Sequence, residues 1–208
     1  MPLTAEYHEA LKASLAEANL VSSVLTTTIP GDGDDFRPTT RLHVMYGDGK
    51  AVDNGTFFRA GECAEAPRIK FAPEEKDEED EYNDASYTLL LVDPDAPTPD
   101  EPKYAFWRHW VLSGLRPQGP GDSADATAAA SELTTYLGPG PKDDSKPHRY
   151  VFLLYREPRG GLSLSKEDVG GEEFTQRRSF KPAEFAERHS LRLVGVNWMY
   201  CAGDGWKE

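Results

Sequence analysis

Cysteine is nearly absent: Cys63 and Cys201 are the only two in 208 residues. Two thiols cannot build a disulfide framework or a four-thiolate zinc site. They read most simply as reduced, with a single bridge between them left open. Basic residues are short too, 23 Lys and Arg against 36 Asp and Glu, a formal net charge of -13. That balance repels nucleic acid and anionic membrane as bulk partners, although it says little about a shielded pocket. Long apolar runs are missing as well, and no stretch nears the roughly 18 residues that span a bilayer. The start, Met1-Pro2-Leu3-Thr4-Ala5-Glu6, has no basic region followed by an apolar one, and 203–208 carries no lipidation or retention signal. The default reading is a cytoplasmic protein. With 38% apolar and 28% charged residues, the chain is of globular type and long enough to bury a core.

What is present is mostly β-patterned. An N-terminal helical segment over 1–28 carries Leu11, Leu15, Ala18, Val21 and Val24 near helical spacing, with Thr4 as cap and Glu6 in the first turn. A turn cluster over 29–35 stops it. The period then drops to two over Leu42–Tyr46, a half-buried strand. Further β-type runs cover 68–71, 87–92, 107–112, 150–155 and 193–200. Two of them, Thr88–Val92 and Tyr150–Tyr155, are apolar throughout, which implies central strands covered on both faces. A nearly all-acid loop over 73–84 reads as solvated, and a Gly/Ser/Asp/Ala-rich variable loop over 119–132 reads as loop or short helix. Pro182 opens a short helix with Phe180 and Phe185 stapled across its start. No linker divides the chain, so one domain over 1–208 is expected.

The chemistry concentrates at strand ends. Val92-Asp93-Pro94-Asp95-Ala96-Pro97 is a strand exit braced by prolines, which fix φ and remove donors. Asp93 and Asp95 can each cap local amides there, and Asp93, at the lip of an apolar strand, is the better candidate for a site. On the strand that follows, Trp107 and His109 should share one face, with Arg108 and Trp110 on the other. Gly138-Pro139-Gly140-Pro141 offers loop amides to a ligand. Pro147-His148-Arg149-Tyr150 then puts a second histidine at a strand mouth.

These motifs in this order resemble the phosphatidylethanolamine-binding protein family, also called Raf kinase inhibitor proteins, and look most like its fungal carboxypeptidase Y inhibitor branch. The similarity includes Lys103-Tyr104 and extends more weakly to 36–46, 66–69 and 185–198, nearly the whole chain. The resemblance implies a two-sheet antiparallel β-sandwich with peripheral helices, the N-terminal one among them. It implies a small anion pocket for phosphate or a phospholipid headgroup, formed by Asp93, Tyr104, Trp107, His109, Gly140, His148 and Tyr150, with a cis bond before Pro97. It also implies partners such as a serine carboxypeptidase or a Ras-pathway signalling protein. Four positions depart from the family: Phe106 replaces an acid, Lys142 a proline, Lys146 a glycine, and Met199 a common aromatic. The two lysines put cations near the mouth.

In a chain of this charge an anion must be held by local donors: the histidines, the loop amides and the Tyr150 hydroxyl. Asp93 then either accepts from a histidine and holds it protonated or grips a headgroup ammonium, and either way phosphate should bind more tightly at about pH 5.5 than at about pH 8. No Gly-x-Ser-x-Gly elbow occurs, so a hydrolase would need a metal on Asp93, His109 and His148, a weaker alternative. The expected chain is a binding protein without cofactor, catalytic residue or resident metal. Its runner-up is a carboxypeptidase inhibitor acting through the N-terminal segment and surface.

Overall fold

The computed structural model describes residues 3–24, 36–74, 84–118 and 125–208. The turn cluster at 29–35, the end of the N-terminal segment at 25–28, most of the acidic loop (75–83) and the start of the variable loop (119–124) lie outside the described residues. In chain order the elements are α1 (Ala5–Glu17), α2 (Leu20–Ser23), β1 (Leu42–Tyr46), β2 (Lys50–Val52), β3 (Thr56–Arg59), β4 (Arg68–Phe71), β5 (Tyr87–Asp93), β6 (Trp107–Leu115), β7 (Ser131–Thr134), β8 (His148–Arg156), α3 (Pro182–Arg188) and β9 (Arg192–Ala202). Single 3-10 turns intervene at Ala60–Cys63, Ala126–Ala129 and Phe174–Arg177.

The two apolar runs become the centre of a six-stranded sheet ordered β3-β9-β8-β5-β6-β7, with β5 paired to β8 and every residue of β5 buried. A three-stranded sheet, β2-β1-β4, packs across one face. Side chains alternate along β5 and β8 between two cores. Leu89, Leu91, Phe152 and Leu154 fill the space between the sheets with Val44, Ile69 and Phe71. Leu90, Val92, Val151 and Leu153 face outward into a second core roofed by α1, α2 and α3. This double cover is why the runs are continuous rather than alternating. The fold is the expected two-sheet sandwich, with one departure: β3 runs parallel to β9, since it arrives by crossover from the other sheet.

The N-terminal helix forms for the reasons its sequence gives. The Thr4 hydroxyl accepts from the Tyr7 amide, and Leu11 and Leu15 turn inward, each worth roughly 1.5–3 kcal/mol on burial. It breaks at Asn19, whose left-handed φ of 54° admits the second short helix. Ser14 accepts from the Trp198 indole at 2.8 Å, pinning α1 to β9. At α3 the staple forms, with the Phe180 and Phe185 rings 5.6 Å apart. The cysteines are both free and buried in the inter-sheet core, and the Cys201 thiol donates to the Ala202 carbonyl at 3.7 Å.

Candidate functional site

The end of β5 is held open by its own carboxylates. Asp93 is buried; its Oδ1 accepts the Asp95 amide at 2.7 Å, the local Asx-type turn that such residues favour. Its Oδ2 accepts from His148 Nδ1 at 2.8 Å across the β5–β8 pair. Asp95 faces away from that pair. It takes Arg149 in a two-pronged grip, Oδ2 from Nε at 2.9 Å and Oδ1 from Nη2 at 2.5 Å, and also accepts the Arg149 amide. Arg149 in turn donates to the Ala18 carbonyl at 2.8 Å, tying the loop to the end of α1. Beyond it the Ala96-Pro97 bond is cis, as the resemblance implies, and so is Ala105-Phe106.

β6 enters opposite. Leu91 faces Trp110 but Val92 faces Arg108, so His109 is the extra residue of a β-bulge. The bulge resets the alternation. Trp107 and His109 do share the cavity, but Trp110 joins the inter-sheet core and Arg108 turns to the opposite face under Phe180, contrary to the shared face expected for them. His109 Nδ1 bonds the Leu137 carbonyl at 2.7 Å, which fixes the tautomer and leaves Nε2 at the cavity without a partner among the described residues. Burial lowers the His109 pKa, against the raising pull of Asp93 and the Leu137 carbonyl. Tyr150 stands between the two histidines, its ring 5.1 Å from that of His109; burial and the Asp93 charge keep its hydroxyl protonated.

All seven residues expected from the sequence line one cavity of about 400 Å³. One of the seven and two neighbouring positions differ from expectation. His148 has both ring nitrogens engaged, Nδ1 by Asp93 and Nε2 by Ser145 Oγ at 3.0 Å, so it positions Asp93 rather than donating outward. Lys146 is not at this mouth: it is exposed, pairs with Asp100, and lines a separate groove of about 720 Å³ beside α1. Met199 is fully buried in the inter-sheet core and forms no wall. Lys142 does line the cavity, and Phe106 packs at the edge of the outer core. The Trp107 indole N–H is buried without an acceptor among the described residues, a deficit of about 1–3 kcal/mol that an anion oxygen would relieve.

Three site residues escaped the sequence reading. Phe174 and Arg178, from the turn before α3, complete the cavity wall. Phe174 sets its ring edgewise on Trp107 at 4.9 Å, and Arg178 lies over the Tyr104 ring at 4.5 Å. In sequence they sit in a charged stretch, and only Phe174, an aromatic amid Glu and Gln, signals the site. The third is Ser145. With His148 and Asp93 it has the connectivity of a Ser-His-Asp triad. Its hydroxyl is buried, however, lies off the cavity lining, and has the Lys146 carbonyl as a second acceptor at 3.0 Å.

Comparison with known proteins bears on this site. The family model described as phosphatidylethanolamine-binding protein matches residues 34–198, from just before β1 to β9. The chain belongs to the phosphatidylethanolamine-binding protein family. An uncharacterized protein of Saccharomyces cerevisiae is 30% identical over 171 residues, 78% of this chain and 82% of its own. Protein FLOWERING LOCUS T of Arabidopsis thaliana is 29% identical over 176 residues, 84% and 87% of the two chains. Among solved structures, carboxypeptidase Y inhibitor, seen in complex with its cognate proteinase, superposes with a TM-score of 0.77 at 23% identity, covering 97% and 98% of the two chains. Phosphatidylethanolamine-binding protein from Plasmodium vivax gives 0.66 at 22%, covering 98% and 99%. These likenesses establish the fold. Among the described residues no helix is long and apolar enough to cross a membrane, and no three His, Cys, Asp or Glu side chains gather as a metal site.

Within the phosphatidylethanolamine-binding protein fold, this cavity offers donors rather than acceptors: the Trp107 N–H, the Tyr150 hydroxyl, His109 Nε2 when protonated, and the cations Lys142 and Arg178. Behind it, buried Arg177 donates to the His109 carbonyl at 3.1 Å, and buried Arg108 binds the Val169 and Gly171 carbonyls. Burial lowers the Arg108 pKa to about 10. Charge beneath a cavity in so acidic a chain makes a local exception to the global field.

Proposed function

We propose that this chain is a cytoplasmic, non-catalytic binding protein, one domain over 1–208, whose cavity takes phosphate or a phosphate-bearing headgroup and whose output is contact with a protein partner. The observation that carries the reading is the convergence of all seven residues on one 400 Å³ space, with the Trp107 N–H and His109 Nε2 unpartnered among the described residues. An anion there exchanges water for charge-assisted bonds, which are stronger than neutral ones. Two features weigh against catalysis. The Ser145 hydroxyl is buried, bonded to His148 and off the cavity lining, which argues against its attack on a substrate carbonyl. His148, with both nitrogens bonded, has none to give a metal, which removes one of the three ligands the hydrolase alternative needs.

The N-terminal segment supports a structural role before an inhibitory one. Leu11, Leu15, Leu20 and Val24 are spent on the outer core, and Arg149 and Trp198 hold α1 in place. A crystal soaked with phosphate or phosphoethanolamine tests the proposal. The expected result is the anion between Trp107, His109 and Tyr150. Density only in the groove lined by Phe57, Tyr200 and Trp206 would overturn it.

A further inference from the structure

The cavity holds two cations and one carboxylate. Asp93, the only acid on its lining among the described residues, already accepts the Asp95 amide on one oxygen and His148 on the other. Two nearby carbonyls are used as well: that of Ala96 by the Tyr104 amide at 2.9 Å, that of Leu137 by His109. A ligand ammonium entering here meets two positive side chains and one carboxylate whose two oxygens each already take a donor. A ligand dianion finds the reverse.

Of the two cations, Arg178 is the better placed. Its guanidinium lies over Tyr104 at 4.5 Å and reaches the Trp107 ring at 5.9 Å, so two wall residues hold it at the mouth. It makes no ion pair among the described residues, and its five donors form a planar fork that matches two phosphate oxygens. Lys142 also lacks an ion pair among the described residues but is exposed, with no ring to fix its stem.

Resting on the anion-pocket reading above, we propose that Arg178 sets the charge selectivity of the cavity, making it a site for dianionic phosphomonoesters and disfavouring zwitterionic ethanolamine-bearing ones. The fork takes two oxygens of the terminal phosphate, while the ammonium of phosphoethanolamine meets the charge of Arg178 and Lys142 and must compete with His148 and the Asp95 amide for Asp93. Loss of a charge-assisted contact of this kind lowers affinity by about tenfold or more.

The test uses two esters with the same two-carbon stem, ethyl phosphate and phosphoethanolamine, of which only the second carries a terminal ammonium. Both are titrated calorimetrically into the full chain at about pH 8, where the monoester is a dianion (second pKa about 6). Wild type should bind ethyl phosphate about tenfold more tightly. Arg178→Gln should weaken ethyl phosphate about tenfold and shrink the gap between the esters, and Arg178→Lys should recover part of the loss. Arg178 is exposed, so these variants should melt with wild type, and a matching melt confirms the fold is intact. Equal or tighter binding of phosphoethanolamine, or ethyl phosphate binding unchanged in Arg178→Gln, overturns the selectivity claim while leaving the pocket standing. If neither ester binds wild type, the underlying anion reading fails and this inference fails with it.

Discussion

Replacing Arg149 by methionine removes the guanidinium that joins the aspartate loop to α1 while keeping an apolar stem of similar length. In the native chain Asp95 is essentially inaccessible, its side chain 2% exposed, and Arg149 is 19% exposed. Breaking one partner from a buried pair costs about 3–5 kcal/mol. The partial exposure of Arg149 and the Arg149 amide still bonded to Asp95 argue for the lower end, about 3 kcal/mol. In a domain of this size that is a fall in melting temperature of roughly 6–12 °C. Because the Asp95 amide is also what Asp93 Oδ1 holds, the pocket loop should loosen with it, and phosphate affinity should drop although Arg149 touches no part of the cavity. The assay is a thermal melt at pH 7 combined with a double-mutant cycle against Asp95→Asn. The cycle should return a coupling above about 1 kcal/mol. A melting shift under about 2 °C with no measurable coupling would show that the ion pair is incidental to the loop.

Four further outcomes are expected. Sulfate, whose charge is constant over the range, should bind more tightly at about pH 5.5 than at about pH 8. The sign follows from His109: its pKa is lowered by burial in the free chain, a bound anion raises it, and binding therefore takes up a proton as the pH falls; calorimetry in two buffers reads that proton. Phe174→Ala removes an aromatic that is 59% exposed, so the melt should move by less than about 0.5 kcal/mol while anion affinity falls. Burial pushes the Glu157 pKa up, but the bonds it accepts from Ser86, the Gly114 amide, Thr88 and Ser113 together outweigh that and lower it. Its contribution is present above the unfolded value near 4.3 and lost as the pH drops through the folded one, so acid unfolding should be shallower in Glu157→Gln, itself less stable by about 1–3 kcal/mol at pH 7. Removing residues 1–20 uncovers the outer core beside Val92 and Trp198 and should lower the melting temperature, measured by calorimetry, by more than 5 °C on the loss of several buried leucines at roughly 1.5–3 kcal/mol each.

Much of the sandwich is legible because its strongest signals are local. Thr88–Val92 and Tyr150–Tyr155 announce doubly covered strands, and Thr4, Leu11 and Leu15 announce the first helix. Strands β2, β3 and β7 are three or four residues each, too short to show a period, and β3 takes its parallel place from pairing with β9 rather than from its own residues. The bulge at His109 is a register event between two chains of sequence, so alternation alone misplaces Trp110. In the site, motif residues on strand ends are readable because rigid elements present them. Ser145, Phe174 and Arg178 come from turns whose approach is decided by tertiary packing, and Arg149 reads as an ordinary strand cation until Asp95 and Ala18 are seen around it.

The chain has four tryptophans, and their indole N–H groups are natural reporters. Those of Trp110 and Trp198 already bond Glu132 and Ser14, that of Trp107 in the cavity wall has no partner among the described residues, and Trp206 lines the other groove. Following the four indole resonances while inorganic phosphate is added should show one saturable downfield movement, at Trp107, lost in His109→Leu. Movement confined to Trp206, or four static resonances, would contradict an anion site between β5, β6 and β8.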